Sequence, residues 1–505
     1  MSESIARPDT YDVVVVGAGP VGLAAARLLS LSDVSVAVVD PQRIVCHHPR
    51  ATHIDDETMR TFQTLGVADF EPSYLRQAGW EMRDGDGRKF LQLTMPAAES
   101  DQGWFTDYQT HQPDVESRLR GLLHRADNAS LWLGWVVTDL EQDDAGVTLQ
   151  LLDKVSEERH TITAAYVIGA DGANSFVRSA MSMDVLDMDG TATSLIIDVE
   201  TFAHPETLPA ADGFVLCAED LPMVYCPIFP GHLRFEFLLS DQHDIHVMER
   251  PDTVYDLLSP YLEPGSYRIT RSGAYTWHAK LVQGWRKGRV LLAGDAAHLM
   301  PPMLGQGMCS GVRDAMNLAW KLAMVVKGEA SEALLDTYES ERSAAVTPYI
   351  LESARQSNMI LAVSRGHVPP TVDEPQVIER FRPLLGPGLA PVAEDPASAA
   401  GQLAPQPRGR DGSRLDDATG YRFTIVGSAT VIERVDDETR SLWKRLDVAT
   451  VTETGAAVDA WLAANEATIA IVRPDHYAYA LAADAAGLIE STRSLADSLM
   501  AGVSA

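Results

Sequence analysis

Apolar residues recur along this chain in two periods, and the switches between them mark out its elements. Residues 11–16 are a nearly continuous apolar, β-branched run, the pattern of a strand buried on both faces. Residues 23–31 have helical composition, and residues 35–39 form a second strand ending at Asp40. A helix over 55–65 carries Met59, Phe62 and Leu65 on one face, and one over 112–126 does the same with Val115, Leu119, Leu122 and Leu123. Residues 132–151 alternate around Asp143-Asp144-Ala145-Gly146 and predict a hairpin. Residues 157–178 return to the first layer. Strand patterns follow at 194–200, 223–229, 233–239 and 267–279. Residues 290–293 are again a buried strand, leading through a Pro-Pro loop into a long amphipathic helix. Residues 369–411 are rich in Pro, Gly and Ala and predict a linker or loose wrap. Beyond 420 the pattern predicts strands at 421–425 and 467–472 and helices near 456–465 and 489–500.

This order is that of an α/β protein, and 505 residues suffice for two or three domains. The formal charge of −30 argues against a nucleic-acid partner, which needs a basic face, and against an anionic membrane surface. Its simplest consequence is solubility. Cys46, Cys217, Cys226 and Cys309 show neither C-x-x-C nor metal spacing, which fits a reducing cytoplasm and no metal site. The N-terminus has no basic-then-apolar leader, and no apolar stretch reaches membrane-spanning length.

Three short segments carry the chemistry. The first strand feeds Gly17-Ala18-Gly19-Pro20-Val21-Gly22, a G-x-G-x-x-G between strand and helix, and the second strand ends in an acid, Asp40. The glycines allow a tight turn, close approach of a pyrophosphate and close helix packing, and the acid is placed for a ribose hydroxyl. The second segment is Gly169-Ala170-Asp171-Gly172, a strand end running into a helix start. In the third, Gly294 lets a ligand near the backbone, Asp295 can accept a hydroxyl, and Gly305 and Gly307 bare amides at the N-terminus of a helix starting around Met308.

Together the three resemble the group A FAD-dependent aromatic monooxygenases, most closely the branch of 3-(3-hydroxyphenyl)propionate hydroxylase and 2-hydroxybiphenyl monooxygenase. The resemblance covers roughly residues 8–365 and continues weakly to the end. It implies a discontinuous Rossmann-like FAD-binding domain (1–75, 109–182 and 281–368), a β-sheet substrate domain (76–108 and 183–280), a linker (369–415) and a thioredoxin-like C-terminal domain (416–505). The last has no C-x-x-C, which points to packing or homodimerisation and not to redox chemistry. FAD contacts are expected from Gly17, Gly19, Pro20, Gly22, Asp40, Arg50, Gln112, Asp171, Gly294, Asp295, Pro302, Gly305, Gly307 and Met308, with Arg118 beside Gln112. The branch usually has Asn where this chain has Cys309, a much weaker donor.

The resemblance further implies that NADH or NADPH binds transiently, since no second dinucleotide fingerprint is present, and that an aromatic substrate is hydroxylated by O₂ through a flavin C4a-hydroperoxide. The protein must then help ionise a phenol. His48, oriented by Asp107, is the expected base, with His47, His53 and Asp55 as competitors. Tyr225, Phe237, Tyr275, Trp277, Pro302 and Met303 are the expected substrate walls, and Arg234 could pair with a substrate carboxylate. Other readings use the same chemistry on a heteroaromatic, polyketide or antibiotic substrate, or make the chain a non-oxygenating flavin reductase or sensor.

Overall fold

Strand Thr10–Val16 owes its central position to its valines, which leave no polar face to turn to water. It pairs in parallel with Val36–Asp40 on one side and Arg159–Gly169 on the other. Ala129–Leu133 and Val290–Leu292 extend the same parallel sheet at its two ends. The three chemistry-bearing segments all follow the C-terminal ends of adjacent strands in this sheet, where open α/β sheets bind ligands. The hairpin Trp135–Gln142 and Val147–Asp153 packs antiparallel onto the long strand Arg159–Gly169. The computed structural model describes residues 7–378, 381–390 and 400–501.

A nine-stranded sheet lies over this layer, in the order His298–Leu299, Tyr267–Gln283, Asp184–Thr201, His232–Leu239, Met223–Phe229, Gly213–Cys217, Gly79–Asp84, Lys89–Thr94 and Gln376–Val377. Its first edge strand, His298–Leu299, belongs to the Pro-Pro loop, so the two sheets meet at the third segment. One face of the sheet is covered by the short helices Ile245–Met248 and Pro251–Leu258. The other faces the dinucleotide-type layer.

The C-terminal region runs strand Thr424–Gly427, helix Asp437–Arg445, strand Ala449–Val451, helix Gly455–Ala464, strands Ile469–Val472 and Ala478–Ala482, and helix Ala485–Met500. The first two strands are parallel and the last two antiparallel, which is the thioredoxin-like order. Ala449–Val451 and Ala478–Ala482 are not marked by the hydrophobic pattern, being short and alanine-containing. The stretch read as a linker is firmly attached where it is described. Gln376–Val377 adds a strand, Arg382 bridges Asp56 and Asp101, and Ala404 and Gln406 are buried. Residues 379–380 and 391–399 of it lie outside the described residues. Among the described residues no helix is long and apolar enough to cross a membrane, and no three His, Cys, Asp or Glu side chains gather as a metal site.

Candidate active site

Each glycine of the first segment has its own steric reason. A Cβ on Gly17 would stand 2.3 Å from the Ala170 carbonyl oxygen, and one on Gly22 would stand 2.0 Å from the Gly17 carbonyl oxygen. Gly19 meets nothing within 4 Å, so its face is open. It is also the N-cap of helix Pro20–Leu31, whose first-turn amides have no side-chain cap, and Pro20 stands in the first turn, where a missing N–H costs nothing. Bare amides at a helix N-terminus behind an open glycine suit a pyrophosphate. Asp40 fixes the turn by accepting from the Ala18 N–H at 2.7 Å and the Gln42 N–H at 2.7 Å. Each oxygen keeps a second lone pair for a ribose hydroxyl.

The other two segments lock onto this one. Arg178, just after the second segment, donates to the Ala296 carbonyl at 3.1 Å in the third. Asp171 accepts from Ser175 Oγ and from the Val177 N–H, so its carboxylate shapes the turn before helix Phe176–Ala180. Burial raises its pKa, and these bonds oppose the rise. Gly294 (φ +62°) donates its N–H to Asp314 Oδ2 at 3.0 Å, an atom also 2.6 Å from His298 Nε2. Burial would raise Asp314, but His298 and Arg342 outweigh it and hold the carboxyl at about 2. His298 is thus a buried framework residue. Gly311, which sequence reasoning passed over, lets the Gln306–Val326 helix approach: a Cβ there would lie 2.5 Å from Val21 and 3.0 Å from Gly294.

Helix Gln306–Val326 begins two residues earlier than expected, capped by Gly305 (φ +63°) with no side-chain acceptor on its first amides. A Cβ on Gly307 would meet nothing, so this terminus too faces open space. Met308 turns its side chain into the core and contributes only backbone here. Pro302 opens the short turn Pro302–Leu304 leading to it.

Asp295 stands in the space between. It is solvent-accessible, yet protein walls it so closely that desolvation raises its pKa, against the pull of His298 and Arg50. No hydrogen bond to its carboxylate contributes among the described residues. Gln112 links the neighbouring loop by accepting from the Ala51 N–H at 2.8 Å and donating to Glu116 at 2.6 Å. Arg50 is exposed on that loop. Arg118 points elsewhere, pairing with Asp69 and lying over Phe70. Arg120, two residues on, faces the dinucleotide loop instead. Its Nη2 lies 3.4 Å from the Ala18 carbonyl, and its Nε is buried without a partner among the described residues. Two residues are about 200° of helical rotation, so a two-place misjudgement reverses a side chain.

The covering sheet has one face toward this cleft, and strand alternation decides which residues use it. Tyr225 and Phe237 do not. They are buried on the far face with Phe214, Met248, Val254 and Leu258, and the Tyr225 hydroxyl donates to the Ala210 carbonyl at 3.1 Å. Helix Pro251–Leu258, covering that face, takes the aromatics that were expected to touch substrate. Arg234 is on the cleft side but is consumed there: it chelates Asp198 at 2.7 and 2.9 Å and donates to the Pro49 and Arg50 carbonyls. It carries the loop and has no fork left for a substrate carboxylate. Tyr275 and Arg271 share that face, at alternate positions around Gly273, where a Cβ would meet nothing. Tyr275 is 43% exposed. Burial raises its pKa, and Asp295, Glu236, Arg50 and Arg271 are near enough to act on it. Trp277 is buried beside it, 3.3 Å from Ser194 Oγ. Met303 is half-buried against the apolar cluster that includes Leu238, Met82 and Phe90.

The expected His48–Asp107 pair does not form. His48 is exposed, and Asp107 Oδ2 lies 2.9 Å from His53 Nε2, because strand His53–Asp55 runs antiparallel to Asp107–Gln109. The other ring nitrogen, Nδ1, is 3.2 Å from the Gly305 carbonyl. Burial alone would lower the pKa of His53, but Asp107 and Cys309 raise it well above the ordinary value. Protonated, the ring donates both N–H groups to protein acceptors. It is a clasp on the Gly305 turn. Cys309 lies beneath it, fully buried, its Sγ 3.7 Å from the His53 carbonyl and 3.9 Å from the Gly305 carbonyl.

Comparison with known proteins agrees with this arrangement. Residues 10–353 match the family model described as FAD binding domain, and residues 401–498 match the HcaD C-terminal domain. The chain is 34% identical over 94% of its length, and 93% of the relative's, to the probable NADH-specific resorcinol 4-hydroxylase of Rhodococcus jostii (strain RHA1). It is 33% identical to the 3-(3-hydroxy-phenyl)propionate/3-hydroxycinnamic acid hydroxylase of Mycolicibacterium smegmatis (strain ATCC 700084 / mc(2)155), over 83% of this chain and 77% of that one. The crystal structure of the flavin-dependent monooxygenase PieE with FAD and substrate shares the fold, at a TM-score of 0.79 and 22% identity, over 98% of this chain and 100% of that one. With two bare helix termini, an open glycine and an accessible carboxylate converging where that family model matches, the chain belongs to the FAD-binding-domain family of group A flavoprotein aromatic monooxygenases.

Proposed function

We propose that this protein uses FAD, NADH and O₂ to hydroxylate a phenolic ring held in the cleft between the flavin site at Asp295 and the covering sheet. The observation that carries the reading is the space around Asp295: an accessible, unbonded carboxylate, enclosed by protein, with Tyr275 and the empty position over Gly273 opposite. The names of the two relatives, one a resorcinol hydroxylase described as NADH-specific and the other a hydroxyphenyl-acid hydroxylase, support a phenol as substrate and NADH as reductant.

The residues present fit FAD. The amides of the Pro20–Leu31 helix would take its pyrophosphate, Asp40 its ribose, and Asp295 a ribityl hydroxyl, while the Gln306–Val326 helix would turn its positive end toward the electron-rich end of the flavin ring. When bound, FAD supplies electron transfer from the nicotinamide and the activation of O₂. The chain's own tasks are to ionise the phenol and keep water out. With Asp107 committed to His53, we assign ionisation to the guanidinium groups of Arg50 and Arg271, which lower the pKa of a neighbouring phenol hydroxyl such as that of Tyr275 against burial, Asp295 and Glu236, and not to a positioned His48. A phenolate is favoured beside guanidinium groups. Tyr275, Trp277 and Met303 would border the ring and exclude solvent.

The test is incubation with NADH, O₂ and a panel of mono- and dihydroxybenzenes and hydroxyphenyl acids. NADH oxidation stimulated by a phenol and matched by hydroxylated product is expected. NADH consumption that yields only hydrogen peroxide with every member would overturn the proposal.

A further inference from the structure

The turn between strands Ile469–Val472 and Ala478–Ala482 of the C-terminal module is a charged plug in the flavin-binding layer. Arg473 is 1% exposed, Asp475 3% and Tyr477 6%. Arg473 forms a two-point bond with Glu341 at 2.9 and 2.7 Å and also holds Asp475. Asn317 and Lys321, on the Gln306–Val326 helix, donate to the same Glu341 at 2.8 and 2.7 Å. These contacts fix the turn against the middle of the helix that opens at the flavin cleft.

Tyr477 extends from that plug toward the start of the helix. Its hydroxyl donates to Glu57 Oε1 at 2.7 Å. The other oxygen, Oε2, accepts from Arg313 Nε at 2.6 Å, and Arg313 Nη1 donates to Gln306 Oε1 at 2.9 Å. Arg313 Nη2 also pairs with Asp55, the cap of helix Asp56–Leu65. Gln306 is the first residue of the helix whose N-terminus faces the cleft, and Gly305 before it is clasped by His53. Glu57, Arg313 and Gln306 are all less than 9% exposed. Buried, charge-assisted bonds of this kind restrict each partner to one geometry. Removing the terminal hydroxyl leaves a carboxylate oxygen unsatisfied in the interior, and a shift of Glu57 to relieve it pulls on Arg313, bonded to its other oxygen.

We propose that Tyr477 is a positioning residue for the flavin site: through Glu57 and Arg313 it sets Gln306, and with it the helix terminus that the preceding section assigns to FAD. The proposal rests on that FAD assignment. It gives the C-terminal module a function without thiol chemistry, in keeping with its lack of C-x-x-C.

The test compares Tyr477→Phe with Tyr479→Phe in the full-length protein. Tyr479 is also buried, but its hydroxyl lies 3.2 Å from Ser494 Oγ, inside the module. FAD affinity is read by titrating flavin into apo-protein, and coupling is read as product formed per NADH consumed. For Tyr477→Phe the FAD dissociation constant should rise by about threefold or more, with a parallel fall in coupling, while Tyr479→Phe stays at wild-type values. Should Tyr477→Phe fail to accumulate folded, Glu57→Gln weakens the hold on Arg313 and should give the same two losses. A double-mutant cycle of Tyr477→Phe with Gln306→Met should be non-additive in FAD affinity. Wild-type affinity and coupling in Tyr477→Phe or Glu57→Gln, or an additive cycle, would overturn the proposal. Wild-type protein that takes up no FAD would refute the underlying assignment instead.

Discussion

Replacing Gly19 by Val separates binding from folding, because the structure gives this glycine a ligand-facing reason and no packing reason. Its backbone (φ −76°, ψ 178°) is extended and open to any residue, and an added Cβ meets nothing within 4 Å. An aliphatic residue at an N-cap costs about 1 kcal/mol relative to glycine. Lower entropy of the unfolded chain returns about 0.4–1 kcal/mol. The net change in apo-protein stability is therefore close to zero. The isopropyl group fills the space in front of the bare amides of the Pro20–Leu31 helix. Losing two amide–phosphate bonds at about 1.5 kcal/mol each removes about 3 kcal/mol, or roughly 150-fold in FAD affinity. Thermal melting of the apo-protein and a flavin-fluorescence titration measure the two quantities. Gly22→Val is the contrasting case: its Cβ would lie 2.0 Å from a backbone oxygen, so it should lose folded protein outright. If Gly19→Val binds FAD as wild type does, or melts as low as Gly22→Val, the steric reasoning is wrong.

Further outcomes follow from the same geometry. Asp295→Ala removes no protein hydrogen bond, so melting should change by less than about 0.5 kcal/mol while FAD is retained about tenfold less tightly; unchanged flavin retention contradicts this. Asp107→Asn removes the carboxylate that keeps the His53 clasp protonated. Since the folded-state pKa of His53 is raised, the stability it contributes is full below about pH 6.5 and fades as pH climbs through the raised value. The melting gap between wild type and Asp107→Asn should therefore narrow from neutral to alkaline pH, and a gap that widens would refute the assignment. Phe237→Ala should cost about 3–5 kcal/mol of stability, whereas Tyr275→Phe should leave melting unchanged and raise KM for the phenol; the reverse pattern would restore Phe237 to the pocket.

The parts of the site that were legible in the sequence are the local ones. Gly17, Gly19 and Gly22 lie within one turn, and their spacing already encodes a strand, a tight loop and a helix start. Gly294 and Gly305 are legible for the same reason: both take positive φ, which few residues tolerate. What the pattern does not carry is how distant segments face one another. Alternation along Leu233–Leu239 separates Arg234 from Phe237, but only helix Pro251–Leu258 determines that the aromatic face points away from the cleft. Asp107 meets His53 and not His48 because an antiparallel register pairs Asp55 with Asp107, a fact of strand alignment across half a hundred residues. Arg234 has a substrate-like position and a structural task, since its partners Asp198, Pro49 and Arg50 come from two other segments. Gly311 lacks a motif of its own, and its reason appears only when Val21 is brought 2.5 Å from its missing side chain.

Transfer of an oxygen atom from O₂ to a phenol in this cleft is measured by turnover under labelled molecular oxygen with NADH and a phenol that stimulates its oxidation. One labelled oxygen is expected in the new hydroxyl group, with product approaching the NADH consumed. A hydroxyl oxygen derived from water, or NADH oxidation whose only oxygen product is labelled hydrogen peroxide, would contradict it.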